Sequence, residues 1–344
     1  LNIFASSFRK PYLACVAALS LFLLAACGQG EDNPPYRAFD PPAKVGLVDA
    51  NGTIFVEEHH LGVPLGDLIH IHNEIAIFLA NGGVYRLDSF DGKYLSTGDA
   101  GINFGSFENI AGVVADPTFD ITQAHDDALQ LLSEGERVML VVVDGWGWHM
   151  HQYFADVQPF LAAQNLLKAY TVFPPYTPVA MSSIFTGELP NVHGVHDRAT
   201  RVMNGQDIFD KARELGKSSI RVQGGVGIVQ TSTTPILIPN RDNPFDTDQA
   251  VLDATLSRVD GADFMFVHFN VIDATAHTYG PYSPQNREAM AFVDDALSQL
   301  AEAWGGVMII TADHGQHHLG QDGRMGDHLW ISHEDIFVPY IIIR

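Results

Sequence analysis

A chain of 344 residues that sets 41 acidic against 19 basic side chains, formally −22 at pH 7, offers no basic stripe for a nucleic-acid backbone. It has two cysteines, Cys15 and Cys27, and the first lies in a leader-like run, so a mature chain beginning at Cys27 has no internal disulfide and must rely on a core. Negative net charge does not exclude an anionic substrate, because bound cations can reverse the local field.

In chain order, Arg9 and Lys10 precede the apolar run Pro11 to Ala26, which is short for a membrane-spanning helix and flanked like an export signal. The run ends in Leu24-Ala25-Ala26-Cys27, which resembles the bacterial lipobox. That resemblance implies removal of residues 1–26, lipid on Cys27, and an exported, membrane-anchored lipoprotein on the periplasmic or extracellular side of the cell envelope. Residues 27–43, rich in Pro, Gly and acidic side chains, suit a flexible tether. Residues 44–135 are expected to form a β-rich accessory segment and lead-in. Its short runs, Thr53 to Val56, Glu74 to Leu79 and Val84 to Leu87, are separated by Asn51-Gly52, Asn81-Gly82-Gly83 and Asp91-Gly92, which are hairpin-type turns. His59, His60, His70 and His72 have no acidic or cysteine partner at ligand spacing and are expected on the surface and on strands.

Over residues 136–344 the pattern alternates buried strands with helices. Val138 to Val143, Phe264 to Phe269 and Val307 to Ile310 are unbroken apolar runs, as strands covered on both faces require. Asp207 can cap a helix that stops at Gly216, and Ser283-Pro284 opens a longer one reaching about Trp304. Val338 to Ile343 reads as a last strand. The order predicts an α/β fold, a doubly wound and mostly parallel sheet flanked by helices, with the small β-rich segment on its N-terminal side.

Three of these strands lead into candidate metal ligands. Asp144 follows the first run, Asp273 and His277 follow the second at a helical spacing of four, and Asp313 and His314 follow the third. His328, in Gly326-Asp327-His328, lies shortly before the last strand. Strand carboxyl ends are where open α/β sheets bind ligands, and four such features in one unit reinforce one another. Thr177 precedes Pro178 at an expected helix start. Its hydroxyl could serve as an N-cap, or could face the positive end of the helix dipole as a nucleophile. Trp146, Trp148 and Tyr176 beside these motifs could line a pocket or pack in the core.

The stretch Thr177 to Gly187, followed by Leu189-Pro190-Asn191-Val192-His193-Gly194, resembles the nucleophile motif of the alkaline-phosphatase superfamily, in particular its type I phosphodiesterase/nucleotide pyrophosphatase branch. The resemblance covers residues 136–344. It implies one divalent metal on Asp273, His277 and His328, and a second on Asp144, Asp313 and His314 with the Thr177 oxygen. Mixed carboxylate and imidazole ligands suit Zn2+, with Mn2+ or Fe as alternatives. It further implies a small-molecule phosphoester substrate and a phosphothreonine intermediate on Thr177 that water then cleaves.

Two departures affect specificity. Pro178 stands where nucleotide-cleaving relatives place an aromatic residue, and Arg198 falls near their phosphate-binding asparagine, where a guanidinium would suit a more highly charged phosphate. The resemblance nevertheless puts phosphodiester or pyrophosphate cleavage ahead of monoester cleavage, with a phosphomonoesterase as the alternative. A sulfatase is disfavoured, since Thr177 cannot be converted to formylglycine. The interval from Gly187 to Asp273 is short for the inserted domain of a phosphoglycerate mutase. A non-catalytic lipid-anchored binding protein would not need the full ligand set. The sequence leaves the oligomeric state open.

Overall fold

The three apolar runs form the middle of one sheet. In the computed structural model, which describes residues 42–90, 92–225, 227–320 and 324–344, β8 (Val138–Val143) lies between β12 (Phe264–Phe269) and β13 (Val307–Thr311), parallel to both. Every residue of these strands is buried, which explains why they carry no polar alternation. The leader-like run, Cys27 and the tether through residue 41 lie outside the described residues.

Among the described residues the main sheet has seven strands in the order β11-β10-β12-β8-β13-β16-β9, where β9 is Leu167–Tyr170, β10 Ser219–Gly224, β11 Ile236–Ile238 and β16 Phe337–Ile343. All neighbours are parallel except β16, which runs antiparallel to β13 and β9. The two helices expected from their caps form at Ile208–Glu214 and Pro284–Trp304. The Asp207 side chain accepts from the Phe209 and Asp210 amides, and Ser283 accepts from the Asn286 amide.

A second sheet of five strands, order β2-β1-β7-β3-β4, is built from β1 (Gly46–Asp49), β2 (Gly52–Phe55), β3 (Ile75–Leu79), β4 (Val84–Leu87) and β7 (Ile110–Ala115). The hairpin β5 (Leu95–Gly98) and β6 (Gly101–Phe104) accompanies it. Its apolar core ends at Ala115, whereas Ile121, Ala124, Ala128, Leu131 and Leu132 belong to the core of the main sheet. The helix Gln123–Ser133, assigned from sequence to the lead-in, thus covers the main sheet. None of the four histidines expected on the surface and on strands lies on a strand: His59 and His60 are in the short helix Glu58–His60, and the exposed His70 and His72 are in the loop before β3, their amides donating to the Asp49 and Asp116 carboxylates.

Candidate metal centre and nucleophile

The parallel register of β12, β8 and β13 sets their carboxyl ends side by side, and the groups beyond those ends converge. Asp144 follows β8 directly. Gly145 then turns the chain at φ +72°. A Cβ there would stand 2.9 Å from the Asp273 Cα, so glycine permits the close approach of the loop to the helix Val271–Tyr279. The Gly145 amide donates to Asp313 Oδ1 at 3.0 Å, tying the β8 loop to the β13 loop.

Two groups of potential ligands result, one of Asp144, Asp313 and His314 and one of Asp273, His277 and His328. In each, one donor atom per residue lies within 4.8 Å of the others. They adjoin through the His314 and His328 rings, stacked with centroids 3.6 Å apart. His314 Nδ1 lies 3.1 Å from the Gly315 carbonyl, His277 Nδ1 2.7 Å from the Gly326 carbonyl, and His328 Nδ1 2.6 Å from the Pro175 carbonyl. A carbonyl only accepts, so each Nδ1 carries a proton; Nε2 of the depressed His314 and His328 rings then presents a lone pair, while His277 Nε2 is turned to Asp273 Oδ1 at 3.1 Å. This is how metal-binding imidazoles are oriented.

The charges fit a cation as well. Burial, with repulsion from Asp313 and Asp273, pushes the Asp144 carboxyl up to about 7. Burial likewise pushes Asp313 up to about 6, and its buried Oδ2 accepts no hydrogen bond. Burial also depresses His314, and depresses His328 well below the usual imidazole range with help from His314 and Arg198, so both rings are neutral. Burial opposes ionisation of Asp273, but His277 beside it, together with His314 and Arg198, outweighs burial and holds the carboxylate ionised. A divalent ion among two buried carboxylates and an imidazole would remove the repulsion that raises Asp144 and Asp313.

Thr177 opens the helix Thr177–Thr186 as its first residue, one position later than the N-cap expected from sequence, with Tyr176 at the cap. Because Thr177 stands at the first helical position and Tyr176 at the cap, the Thr177 hydroxyl is not the capping group. Its Oγ1 instead lies 3.5 Å from Asp144 Oδ1 and 3.2 Å from His314 Nε2. The turn after this helix is structural: the Val195 amide donates to His193 Nδ1, which leaves Nε2–H to donate to Ser183 Oγ at 2.9 Å.

Arg198 stands at the rim. Its guanidinium lies over the Tyr176 ring, 4.4 Å from the centroid, and 3.7 Å from Asp327 Oδ1. Arg324 meets the same carboxylate oxygen at 3.0 Å from the other side, against the His277 ring. Trp146 is buried in the core, Trp148 packs on His151, and Tyr176 divides its contacts between Arg198 and His328.

Sequence reasoning missed several supporting residues. Asn270 donates to Asp144 Oδ2 at 3.0 Å, the buried His268 lies 3.4 Å from the same oxygen, and Gln316 donates to Asp273 Oδ1. The run Phe264–Phe269, read from sequence as unbroken, in fact contains His268 as its one polar residue, and that was the signal for it. Asp248 accepts from the Asn270 and Val271 amides, and so caps from another helix the one that bears Asp273 and His277.

A family model described as type I phosphodiesterase / nucleotide pyrophosphatase matches residues 138–338, more than half of the chain. No curated protein matches. Among solved structures, the chain is similar to phosphonoacetate hydrolase from Sinorhizobium meliloti 1021 in complex with phosphonoformate, at 17% identity over 54% of this chain and 58% of that one, with a TM-score of 0.46. Murine ectonucleotide pyrophosphatase / phosphodiesterase 5 is similar at 17% identity over 54% of this chain and 59% of that one, TM-score 0.42. A 2-O GAG sulfatase is similar at 11% identity over 60% of this chain and 64% of that one, TM-score 0.48. The chain thus spans less than two thirds of each of these relatives, and at such identities and scores the likenesses do not bear on activity.

Proposed function

The chain belongs to the type I phosphodiesterase / nucleotide pyrophosphatase family, and from that premise we propose that it is a metal-dependent phosphoester hydrolase with Thr177 as nucleophile. The observation that carries this reading is the Thr177 hydroxyl, free of capping duty and within 3.5 Å of both Asp144 and His314. Two divalent cations, zinc first with manganese or iron as alternatives, would neutralise the phosphoryl oxygens and lower the hydroxyl pKa when bound. Asp144, Asp313 and His314 would hold one, and Asp273, His277 and His328 the other.

The chain's own residues supply the rest. Thr177 Oγ1 gives its proton to solvent and attacks phosphorus, the bond from phosphorus to the leaving oxygen breaks, and an alcohol or phosphate departs with a proton taken from solvent. Water then attacks the phosphothreonine, the bond from Oγ1 to phosphorus breaks, and the hydroxyl is restored. The dipole of the helix Thr177–Thr186 favours the developing negative charge at its first residue. Asn270 fixes the Asp144 carboxylate, and the backbone carbonyls of Gly315, Gly326 and Pro175 fix the imidazoles.

Diester or pyrophosphate cleavage ranks first on the family match, with monoester cleavage second on a specific observation. Arg198 and Arg324 flank one carboxylate at the rim with half-exposed guanidinium groups, whose remaining donors suit an additional phosphate charge. The deciding experiment compares rates of the purified chain, loaded with zinc or manganese, on a chromogenic phosphodiester, a phosphomonoester and a sulfate ester. A phosphate ester turned over far faster than the sulfate ester supports the reading, and no turnover of either phosphate ester ends it.

The location of the enzyme belongs to the same proposal. Leu24 to Cys27 supports export and lipid attachment at Cys27. Wild type expressed in bacteria should take up labelled lipid and Cys27→Ala should not, and an unlabelled wild type would remove the anchor.

A further inference from the structure

We propose that the N-terminal five-stranded sheet is a positioning frame for the metal centre, gripping the loop that leaves His328 and bracing the segment that leads into Thr177. The inference rests on the two-metal reading above and assigns a task to a segment that carries no catalytic group. The grip begins one residue beyond Leu329. Trp330 is held on one face by His317, stacked at 4.2 Å between centroids. It meets Phe55 of β2 edge to face at 5.4 Å, and the Lys44 ammonium lies 3.8 Å from its ring centroid.

Ile331 sits still deeper. Gly46 of β1 and Gly112 of β7 are register partners, and together they make a seat for it. A Cβ on Gly46 would fall 1.7 Å from the Ile331 carbonyl oxygen, and one on Gly112 would fall 2.7 Å from the Ile331 Cβ. No side chain larger than hydrogen fits at either position, so the paired glycines permit this contact. Next, the His333 amide donates to Thr53 Oγ1 of β2 at 2.7 Å. On the main-sheet side, the buried Asp335 accepts from the Leu329 and Trp330 amides and pairs with His317 at 2.7 Å. Residues 329–333 are thus fixed from both sides.

The same sheet reaches the nucleophile side. A Cβ on Gly82, in the turn between β3 and β4, would stand 2.4 Å from the Pro190 Cβ and 2.9 Å from the Phe173 carbonyl oxygen, and Phe78 packs edge to face on Tyr170. Phe173 and Pro190 bracket the helix that Thr177 opens. His328 in turn is oriented by the carbonyl of Pro175 in that segment. One rigid sheet therefore fixes two segments whose relative placement decides whether His328 Nε2 points at its metal position. Support of this kind, behind a ligand, typically changes metal affinity by about 10-fold or more.

The test titrates the metal-stripped full chain with zinc by calorimetry, in wild type, Phe55→Ala, Trp330→Ala and Trp330→Phe, with thermal unfolding of each. The frame predicts two zinc ions on wild type. In Phe55→Ala and Trp330→Ala one of the two should bind about tenfold more weakly while the other is little changed, and Trp330→Phe should recover most of the loss. A scaffold without a positioning task would lower the unfolding midpoint and leave both affinities alike, and that result overturns the inference. Wild type that binds no zinc, manganese or iron would overturn the two-metal reading and the frame together, so the two failures are distinct.

Discussion

Single side chains decide the chemistry here, and their geometry divides into what spacing reveals and what only folding creates. The six ligand candidates and Thr177 were legible because each follows a strand or opens a helix at a motif position, and the structure gathers them into two adjoining groups. Arg324, Asn270 and Gln316 were not legible, since nothing in their local sequence says which carboxylate they will face, and His268 showed only as a polar break in an apolar run. The rim pair carries a prediction about specificity. Arg198→Ala and Arg324→Ala should each reduce kcat/KM on a phosphomonoester by about tenfold or more and on a phosphodiester by clearly less, because a guanidinium contact to an ionised oxygen is worth about 1.5–3 kcal/mol. Steady-state kinetics on the two chromogenic esters decides this. Equal losses on both would take the arginines out of substrate recognition.

Among elements, the central strands were the most legible because burial on both faces leaves a run of apolar residues with no alternation. The accessory sheet was only half legible. The sequence picks out β3, β4 and approximately β2, but β1 and β7 were missed, although they join the sheet through the Gly46 and Gly112 pair. Glycine lowers strand propensity, and here it is required by a tertiary contact that no local pattern announces. The start of the helix at Thr177 moved by one residue, within the usual ambiguity of helix ends, yet the shift matters because it releases the hydroxyl. The helix Val271–Tyr279 depends on a cap in trans. Asp248→Ala leaves the Asn270 and Val271 amides without their acceptor and should cost about 2 kcal/mol, with Asp248→Asn costing less because one acceptor remains. Chemical denaturation of the three proteins measures it, and equal stability for Asp248→Ala would mean that water caps this helix as well as the carboxylate does.

For the molecule as a whole, the buried charges set how stability follows pH. Burial raises Asp144 and Asp248 to about 7 and Asp313 to about 6, so without metal the folded chain keeps protons that the unfolded chain releases near 4. Stability from these groups is full below about 4 and lost as pH rises through about 7. Burial lowers His149 and His193 to about 4, and the unfolded chain binds their protons up to about 6.5. These histidines therefore destabilise in acid and oppose the carboxylates between about 4 and 6.5. Above that window His149 and His193 no longer oppose the carboxylates, which are joined by His268 and His277. Burial would lower both rings, but Asp144 holds His268 above its usual value and Asp273 does the same for His277. The metal-free chain should then lose thermal stability from about pH 6.5 to 8, and saturating zinc should reduce or abolish that loss, because the ion replaces the protons. Melting curves with chelator and with zinc across that range test the sign.

The central claim, that Thr177 is the nucleophile beside a metal-holding cluster, is tested most directly by turnover per bound metal for wild type and Thr177→Ala, measured on the chromogenic diester with metal saturating. The account predicts that Thr177→Ala keeps its fold and most of its metal while turnover falls by several orders of magnitude, since covalent catalysis is lost. A rate near wild type for Thr177→Ala would mean that water attacks phosphorus directly, and the phosphothreonine route would be wrong.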